Sequence, residues 1–425
     1  MNTAPKGNRL HIAIFGRTNV GKSSLLNYIL DQELAITSPV AGTTTDIVEK
    51  AAELLPLGPV LFLDTAGLDD TSSLAKLRVQ KTETVYNRAD VILLVTESNQ
   101  WTHYEEAVYE EAEKRKIPLI IVVNKGDLQT PSERFLREIK EKSNYVITLS
   151  TIDNDAREKT VVLLKQYLLA VSPESNMVAP SLIGDLLPAE EGLVMFVIPI
   201  DAQAPKGRLI LPQVQMIRDA LDHLAVSLAV QETEIKYALS LLKRAPDLVI
   251  TDSQAIFKVA ADVPENIPCT TFSILMAHQK GDIVAAAEGA AAIESLRPGD
   301  RVLIAESCSH HPLQDDIGRV KIPRWLREYV GGALDISVSS GRDYPAHLEE
   351  YKVIIHCGGC MLNRREMLSR ISLAQESRVP ITNYGLAISL TQGLIHRVLS
   401  PFPQALAAYE RVRKETKGRK SDDAL

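Results

Sequence analysis

Gly16-Arg17-Thr18-Asn19-Val20-Gly21-Lys22-Ser23 lies between the apolar run His11–Phe15 and the amphipathic stretch Ser24–Leu30, an order that reads as strand, glycine-rich loop and helix. Gly16 and Gly21 let the backbone wrap closely enough for successive N–H groups to point at phosphate oxygens, and the helix N-terminus adds its positive end. Lys22 is expected to reach the β- and γ-phosphates and Ser23 a magnesium ion, with Val20 and Ser24 completing the binding loop. Fixed residue types in fixed positions, with the right flanks, set this apart from a plain glycine turn before a helix.

Further along, the apolar run Val60–Leu63 ends in Asp64-Thr65-Ala66-Gly67. A carboxylate at the carboxyl end of a strand can hold magnesium through water, and the Gly67 N–H can meet the γ-phosphate. Leu119–Val123 then runs into Asn124-Lys125-Gly126-Asp127, whose carboxylate can accept two hydrogen bonds from guanine N1 and N2. Adenine offers no such pair, so GTP is preferred over ATP. Leu149-Ser150-Thr151 is the expected guanine-supporting loop, and among Gly42-Thr43-Thr44-Thr45-Asp46, Thr44 is favoured as the switch residue that closes on magnesium. Lys22, Thr44, Asp64 and Gly67 are thus the expected catalytic set. These loops resemble those of the Era and TrmE branch of translation-factor-like GTPases over roughly residues 8 to 170. Leu68 stands where a Ras-like protein has its catalytic glutamine, so unaided hydrolysis should be slow. Asn19 resembles the asparagine by which TrmE-like members hold a potassium ion against the phosphates.

At 425 residues the chain exceeds one ordinary core, and 45% hydrophobic with 24% charged residues is enough to fold without disulfide staples. The longest apolar runs, Leu193–Ile200 and Pro118–Val123, fall far short of the roughly 18–20 residues of a membrane helix. Met1–Leu10 lacks the apolar core of a signal peptide, which makes the cytoplasm the expected compartment. Net charge −7 disfavours extended phosphate-backbone binding, and with it nucleic acid. We expect an α/β protein of three domains: a P-loop GTPase domain at 8–171, a small α/β dimerisation domain at 188–265 and a C-terminal parallel α/β metal-cluster domain at 266–410. In the second, Leu193–Ile200 and Leu248–Thr251 read as strands and Leu211–Leu224 and Glu234–Arg244 as helices whose apolar faces can pair with another copy. In the third, the runs Arg301–Ala305, Leu334–Val338, Lys352–Ile355 and Val379–Thr382 alternate with helical stretches at Arg319–Val330, Asn363–Gln375 and Leu386–Ile395, which implies a parallel sheet. The basic tail Arg411–Lys420 reads as a solvated end.

Three of only four cysteines sit in Cys308-Ser309-His310-His311 and His356-Cys357-Gly358-Gly359-Cys360, both just beyond strands of that sheet, where ligands gather. Three chemistries fit. A redox pair at a helix start would have lowered thiol pKa values but leaves Cys308 without a role. Zinc could take three thiolates and an imidazole from His310, His311 or His356. A 4Fe-4S cluster on three cysteines would leave its fourth iron to an imidazole, to a carboxylate such as Asp315 or Asp316, or to an outside molecule.

GTPase loops followed by Cys-x-His, a long spacer and His-Cys-x-x-Cys are similar to the arrangement in the HydF family of FeFe-hydrogenase maturation GTPases. That resemblance implies a homodimeric scaffold that carries a 4Fe-4S cluster on Cys308, Cys357 and Cys360. It further implies receipt of a two-iron precursor from radical-SAM maturases and delivery to apo FeFe-hydrogenase. Asp315, His310 and His356 are the candidate fourth ligands. The rival reading is an RNA-associated GTPase of ribosome assembly or tRNA modification with a structural zinc site; the acidic charge and the lack of a basic, aromatic-bearing module count against it.

Overall fold

The apolar runs flanking the phosphate loop pair into a six-stranded sheet in the computed structural model of the chain, which describes residues 6–30, 48–65, 75–172, 181–200, 207, 209–307, 316–341, 344–345 and 347–422. Its strands are β1 (Leu10–Phe15), β2 (Val48–Leu54), β3 (Gly58–Asp64), β4 (Val91–Glu97), β5 (Leu119–Asn124) and β6 (Val146–Thr148), in the order β2-β3-β1-β4-β5-β6. Only β2 with β3 is antiparallel. β1 and β5 are buried at every position, as parallel strands covered on both faces must be. Alternate residues of β1 feed two cores: Ile12 and Ile14 pack with Leu25 and Leu26 of the helix Lys22–Ile29, while Ala13 and Phe15 pack with Val85 and Val108 of the helices Ala75–Arg88 and His103–Lys114. The carboxyl ends of β1, β3 and β5 thereby lead into the phosphate loop, Asp64 and Asn124.

Contacts divide the chain into two compact units, Met1–Pro180 and Ser181–Leu425. The second unit holds two four-stranded parallel sheets. One comprises β7 (Leu193–Val197), β8 (Val226–Val230), β9 (Leu248–Thr251) and β10 (Cys269–Thr271), the other β11 (Arg301–Ala305), β12 (Asp335–Ser339), β13 (Val353–His356) and β14 (Ile381–Asn383). Their orders, β10-β9-β7-β8 and β12-β11-β13-β14, are the same topology: the first strand lies between the second and third, and the fourth lies outside the third. They share one core, in which Phe196 and Ile250 of the first sheet join Ile304 and Ile355 of the second through Ile274 and Leu275 of the helix Phe272–Lys280. The alanine-rich helix Ile283–Ile293 lies directly on β14: a Cβ at Gly289 would come within 2.1 Å of Ile381 O, so only glycine allows that approach.

This arrangement moves the boundary expected at 265/266, because β10 lies beyond it and yet pairs with β9. Other differences are local. The helix expected from Arg319 opens as a π-helical turn, Ile317–Lys321, before Ile322–Val330. The helix expected over Leu386–Ile395 breaks at Gly393, whose φ of 73° suits glycine, into Tyr384–Thr391 and Ile395–Leu399. Arg411–Lys420, read as a solvated end, is the later part of the helix Pro403–Asp422, where Arg413 pairs with Glu294 and Arg411 with Glu288.

Candidate functional site

Around the phosphate loop, glycine is required by contact. A Cβ at Gly16 would lie 2.5 Å from Val95 O, and one at Gly21 (φ 95°) would lie 2.3 Å from Asn124 Nδ2. Asn19 also takes a left-handed φ of 66°, turning the loop toward the helix, and its side chain is exposed. Lys22, nearly buried, lays its ammonium on the carbonyls of Gly16 and Arg17, which holds the cation inside the loop. Ser23 Oγ donates to Asp64 Oδ2 at 3.2 Å, bringing together the two residues expected at magnesium. Asn124 ties the loops to each other: its Nδ2 donates to Val20 O at 2.9 Å and its Oδ1 accepts from Thr151 N at 3.3 Å. Asp127 is exposed and accepts from Ser150 Oγ, while Lys125 (φ 59°) pairs with Glu97. Ser24 is exposed on the first helical turn. Thr44 and Gly67 lie outside the described residues.

One brace of this loop has no motif. Arg17 Nε bonds Glu105, a fully buried carboxylate that also closes the capping box of the helix His103–Lys114, and Gly16 N–H donates to Tyr104 Oη at 3.4 Å.

The cysteine region is built where β11 and β13 lie side by side, with Ala305 in register with His356. Cys357 N–H donates to Ala305 O at 2.9 Å. Ser307, the residue before Cys308, then meets the Cys357 sulfur twice, through its N–H at 3.2 Å and its hydroxyl at 3.1 Å. Ser307 and the Cys357 motif therefore meet at the point where strand order reverses, the usual crevice of such sheets. Cys308, His310, His311 and Asp315 lie outside the described residues. On either side of that segment, Glu306 (3% exposed) accepts from Arg319 Nη2 at 2.9 Å and from Ser340 Oγ at 3.1 Å, an ion pair that fastens the two ends together.

His356 does not present a free nitrogen. Arg370 Nη1, always a donor, lies 2.9 Å from Nε2, so the ring proton is on Nδ1, which donates to Cys357 O at 2.7 Å. Burial, together with the Arg370 charge, lowers its pKa to about 3, so the ring stays neutral. As a fourth ligand it is corrected to a brace of the cysteine loop. Asp316 is likewise engaged, accepting from Arg319 N at 2.8 Å to cap the π-helical turn. Nor do Cys357 and Cys360 start a helix: the next one begins at Arg364, and burial, the largest influence, raises the Cys360 thiol, against the lowered values a redox pair needs.

A cavity of about 290 Å³ opens beside these sulfurs, with Cys357, Gly359 and Cys360 on one wall and Asp252, Ser253 and Phe272 of the first sheet's side on the other. Asp252 is held by Gln213 Nε2 at 2.9 Å. Both four-stranded sheets thus direct carboxyl ends to one cavity. No motif marked Ser307, Arg370, Glu306 or Asp252 in the sequence; the adjacency of Ser307 to Cys308 was the only available signal.

The family model of the hydrogen maturase F dimerization domain matches residues 182–281, and that of the hydrogen maturase F tetramerization domain matches residues 284–401, together more than half of the chain. The chain belongs to the hydrogen maturase F family. Its N-terminal part, residues 11–125, matches the family model of the 50S ribosome-binding GTPase, so this hydrogen maturase F member carries a GTPase domain. Relatives of that domain include the tRNA modification GTPase MnmE of Prochlorococcus marinus, 38% identical over 161 residues, 37% of this chain and 34% of the relative. GTPase Der of Nitratiruptor sp. is 29% identical over 225 residues, 48% of each chain. Era of Aquifex aeolicus bound to GDP.AlF4- aligns with a TM-score of 0.32 and 22% identity, covering 52% of this chain and 92% of that one. The hydrogen maturase F chain thus spans about a third of the MnmE relatives and about half of Der. Among the described residues no helix is long and apolar enough to cross a membrane.

Proposed function

We propose that this chain is a GTP-hydrolysing scaffold of FeFe-hydrogenase maturation that binds a 4Fe-4S cluster through Cys308, Cys357 and Cys360 and assembles or delivers the two-iron subcluster to the apo-hydrogenase. The observation that carries it is the contact of Ser307 with the Cys357 sulfur, because it sets the stem of Cys308 beside Cys357 in a chain of the hydrogen maturase F family. The donor set suits the group: soft sulfurs at one end of a parallel sheet, N–H and hydroxyl donors aimed at one of them, and a cavity alongside for cargo. A bound cluster would supply one iron with an exchangeable position. With His356 and Asp316 both engaged by the protein, Asp315, His310 or an outside molecule is left for that position.

In the GTPase domain, Lys22 neutralises phosphate charge, Ser23 and Asp64 hold magnesium, and Asp127, steadied by Ser150, selects guanine. Asn19 places a carboxamide where a potassium ion could be held. Nucleotide state would regulate exchange between radical-SAM maturases and apo-hydrogenase. A second copy joins at the exposed edge of β8, whose start is preceded by Leu224 (82% exposed). The tRNA-modification reading draws on relatives that match little beyond the GTPase domain.

The test is anaerobic reconstitution of the full chain, metal and sulfide analysis, electron paramagnetic resonance and activation of metal-deficient apo-hydrogenase by the loaded chain. A cluster signal lost in Cys357→Ser is expected. One tightly bound zinc with no cluster signal overturns the proposal.

A further inference from the structure

The helix Phe272–Lys280 ends in a lysine whose side chain turns inward, beneath the cysteine loop, where it is 3% exposed. Its ammonium meets main-chain carbonyls alone: Leu362 O at 2.9 Å, Cys360 O at 3.2 Å and Gly359 O at 3.5 Å. Among the described residues no carboxylate pairs with it. A buried ammonium with only neutral acceptors is costly, and here burial lowers the lysine toward a pKa of about 8.

Peptide geometry connects this cation to the cysteine loop. In a trans peptide the carbonyl and the following N–H point in opposite directions. Lys280 holds the Gly359 and Cys360 carbonyls, so the N–H groups of the same two peptides, on Cys360 and Met361, point away from it to the other side of the loop. The grip on one side of the loop therefore sets the donors on the other. Arg370, bound to His356 Nε2 and to Gly341 O at 2.9 Å, places a second buried cation, a guanidinium, behind the same loop. Three thiolates outweigh the charge of an oxidised cubane core, so a loaded site is anionic and becomes more so on reduction.

We infer that Lys280 is a positioning residue of the cysteine site: by holding the Gly359, Cys360 and Leu362 carbonyls it fixes the path of the loop that carries Cys360, and it supplies the counter-charge of a thiolate-held cluster. Hydrogen bonds to sulfur and local charge are the terms that set cluster potentials, and removing a buried cation disfavours the reduced, more negative state.

The inference rests on the cluster reading above, and its test separates the two. Full-length wild type, Lys280→Gln, Lys280→Met and Lys280→Arg are reconstituted anaerobically with iron and sulfide, and iron content and midpoint potential are measured by resonance-monitored titration. Gln can still donate to the carbonyls, so its iron content should stay near wild type while its potential shifts negative; Met should shift negative and also lose iron, and Arg should restore both. A Gln variant with full iron and an unshifted potential overturns the inference alone, as does an Arg variant that fails with Gln and Met. Wild type that takes zinc and no cluster overturns the cluster reading and this inference with it.

Discussion

Gly358 and Gly359 look interchangeable in the sequence, yet alanine should be tolerated at one and not at the other. At Gly358 a Cβ would meet Ser273 Oγ at 3.7 Å, ordinary van der Waals contact. Gly359 has φ +60°, and its Cβ would come within 2.3 Å of Met367 Cε. The methionine end can swing aside, so the lasting cost is the left-handed backbone, about 1–2 kcal/mol for an L-residue. That energy opposes the closed loop, in which Gly359 O and Cys360 O rest on Lys280, and it raises the open fraction roughly 5–30-fold. Alkylation of Cys360 in the metal-free chain, followed by mass spectrometry of the peptide, reports that fraction when the loop recloses faster than it reacts. Gly359→Ala should accelerate labelling by that factor and Gly358→Ala should leave it within about twofold, under 0.5 kcal/mol. Equal acceleration by both, or by neither, refutes the reasoning from backbone conformation.

Asp127→Asn removes two charge-assisted acceptors of about 1.5–3 kcal/mol each, so GTP affinity should fall by roughly 10²–10⁴-fold in a fluorescent-nucleotide displacement titration, with no gain for ATP. Lys22→Ala should abolish nucleotide binding by calorimetry and leave iron uptake unchanged; loss of both would show a folding defect. Cys269 is fully buried and pushed by burial to about 12, so it should resist alkylation until the chain is denatured, while Cys357 and Cys360 react in the native metal-free state. Single-turnover GTP hydrolysis should be faster in potassium than in sodium, and Asn19→Ala should erase the difference; equal rates in wild type sink the potassium role.

The nucleotide site was legible because each of its residues has a local reason. Gly16 and Gly21 are imposed by close approach, Lys22 and Ser23 open the helix that follows them, and Asp64 and Asp127 sit at or just beyond strand ends whose apolar runs announce them. Even there, Asn124 proved to be a knot between Val20 and Thr151, a role that depends on two loops distant in sequence. The cysteine site was half legible. Strand ends led to the contact of Ser307 with Cys357, but Lys280, Arg370 and Glu306 act through contacts made only after two sheets share a core, and nothing in their neighbours' periodicity marks them. β8 and β10 escaped notice for different reasons. β8 is a half-exposed edge strand that lacks a continuous buried run, and β10 is only three residues long. Missing β10 misplaced the domain boundary.

The edge strand also gives the sharpest handle on assembly. In a parallel ladder the N–H groups of one strand alternate between its two sides. Val226 N–H is bonded to Gly192 O, on the β7 side, so by alternation Ser227 and Ala229 turn their N–H groups to the open edge. Among the described residues Ser227 Oγ is buried without a hydrogen-bond partner, and Val226, 62% exposed, continues the apolar surface from Leu224. A copy related by a two-fold axis would meet this edge antiparallel, β8 against β8, extending both sheets into one. Ala229→Pro deletes an edge-facing donor and leaves the ladder to β7 intact, which proline permits only on such a side. Light scattering of the full chain should then report a lower-order species than wild type, with GTP affinity retained as evidence of folding. Unchanged mass in Ala229→Pro, with the fold intact, would place the interface on another surface and leave the exposed edge of β8 unexplained.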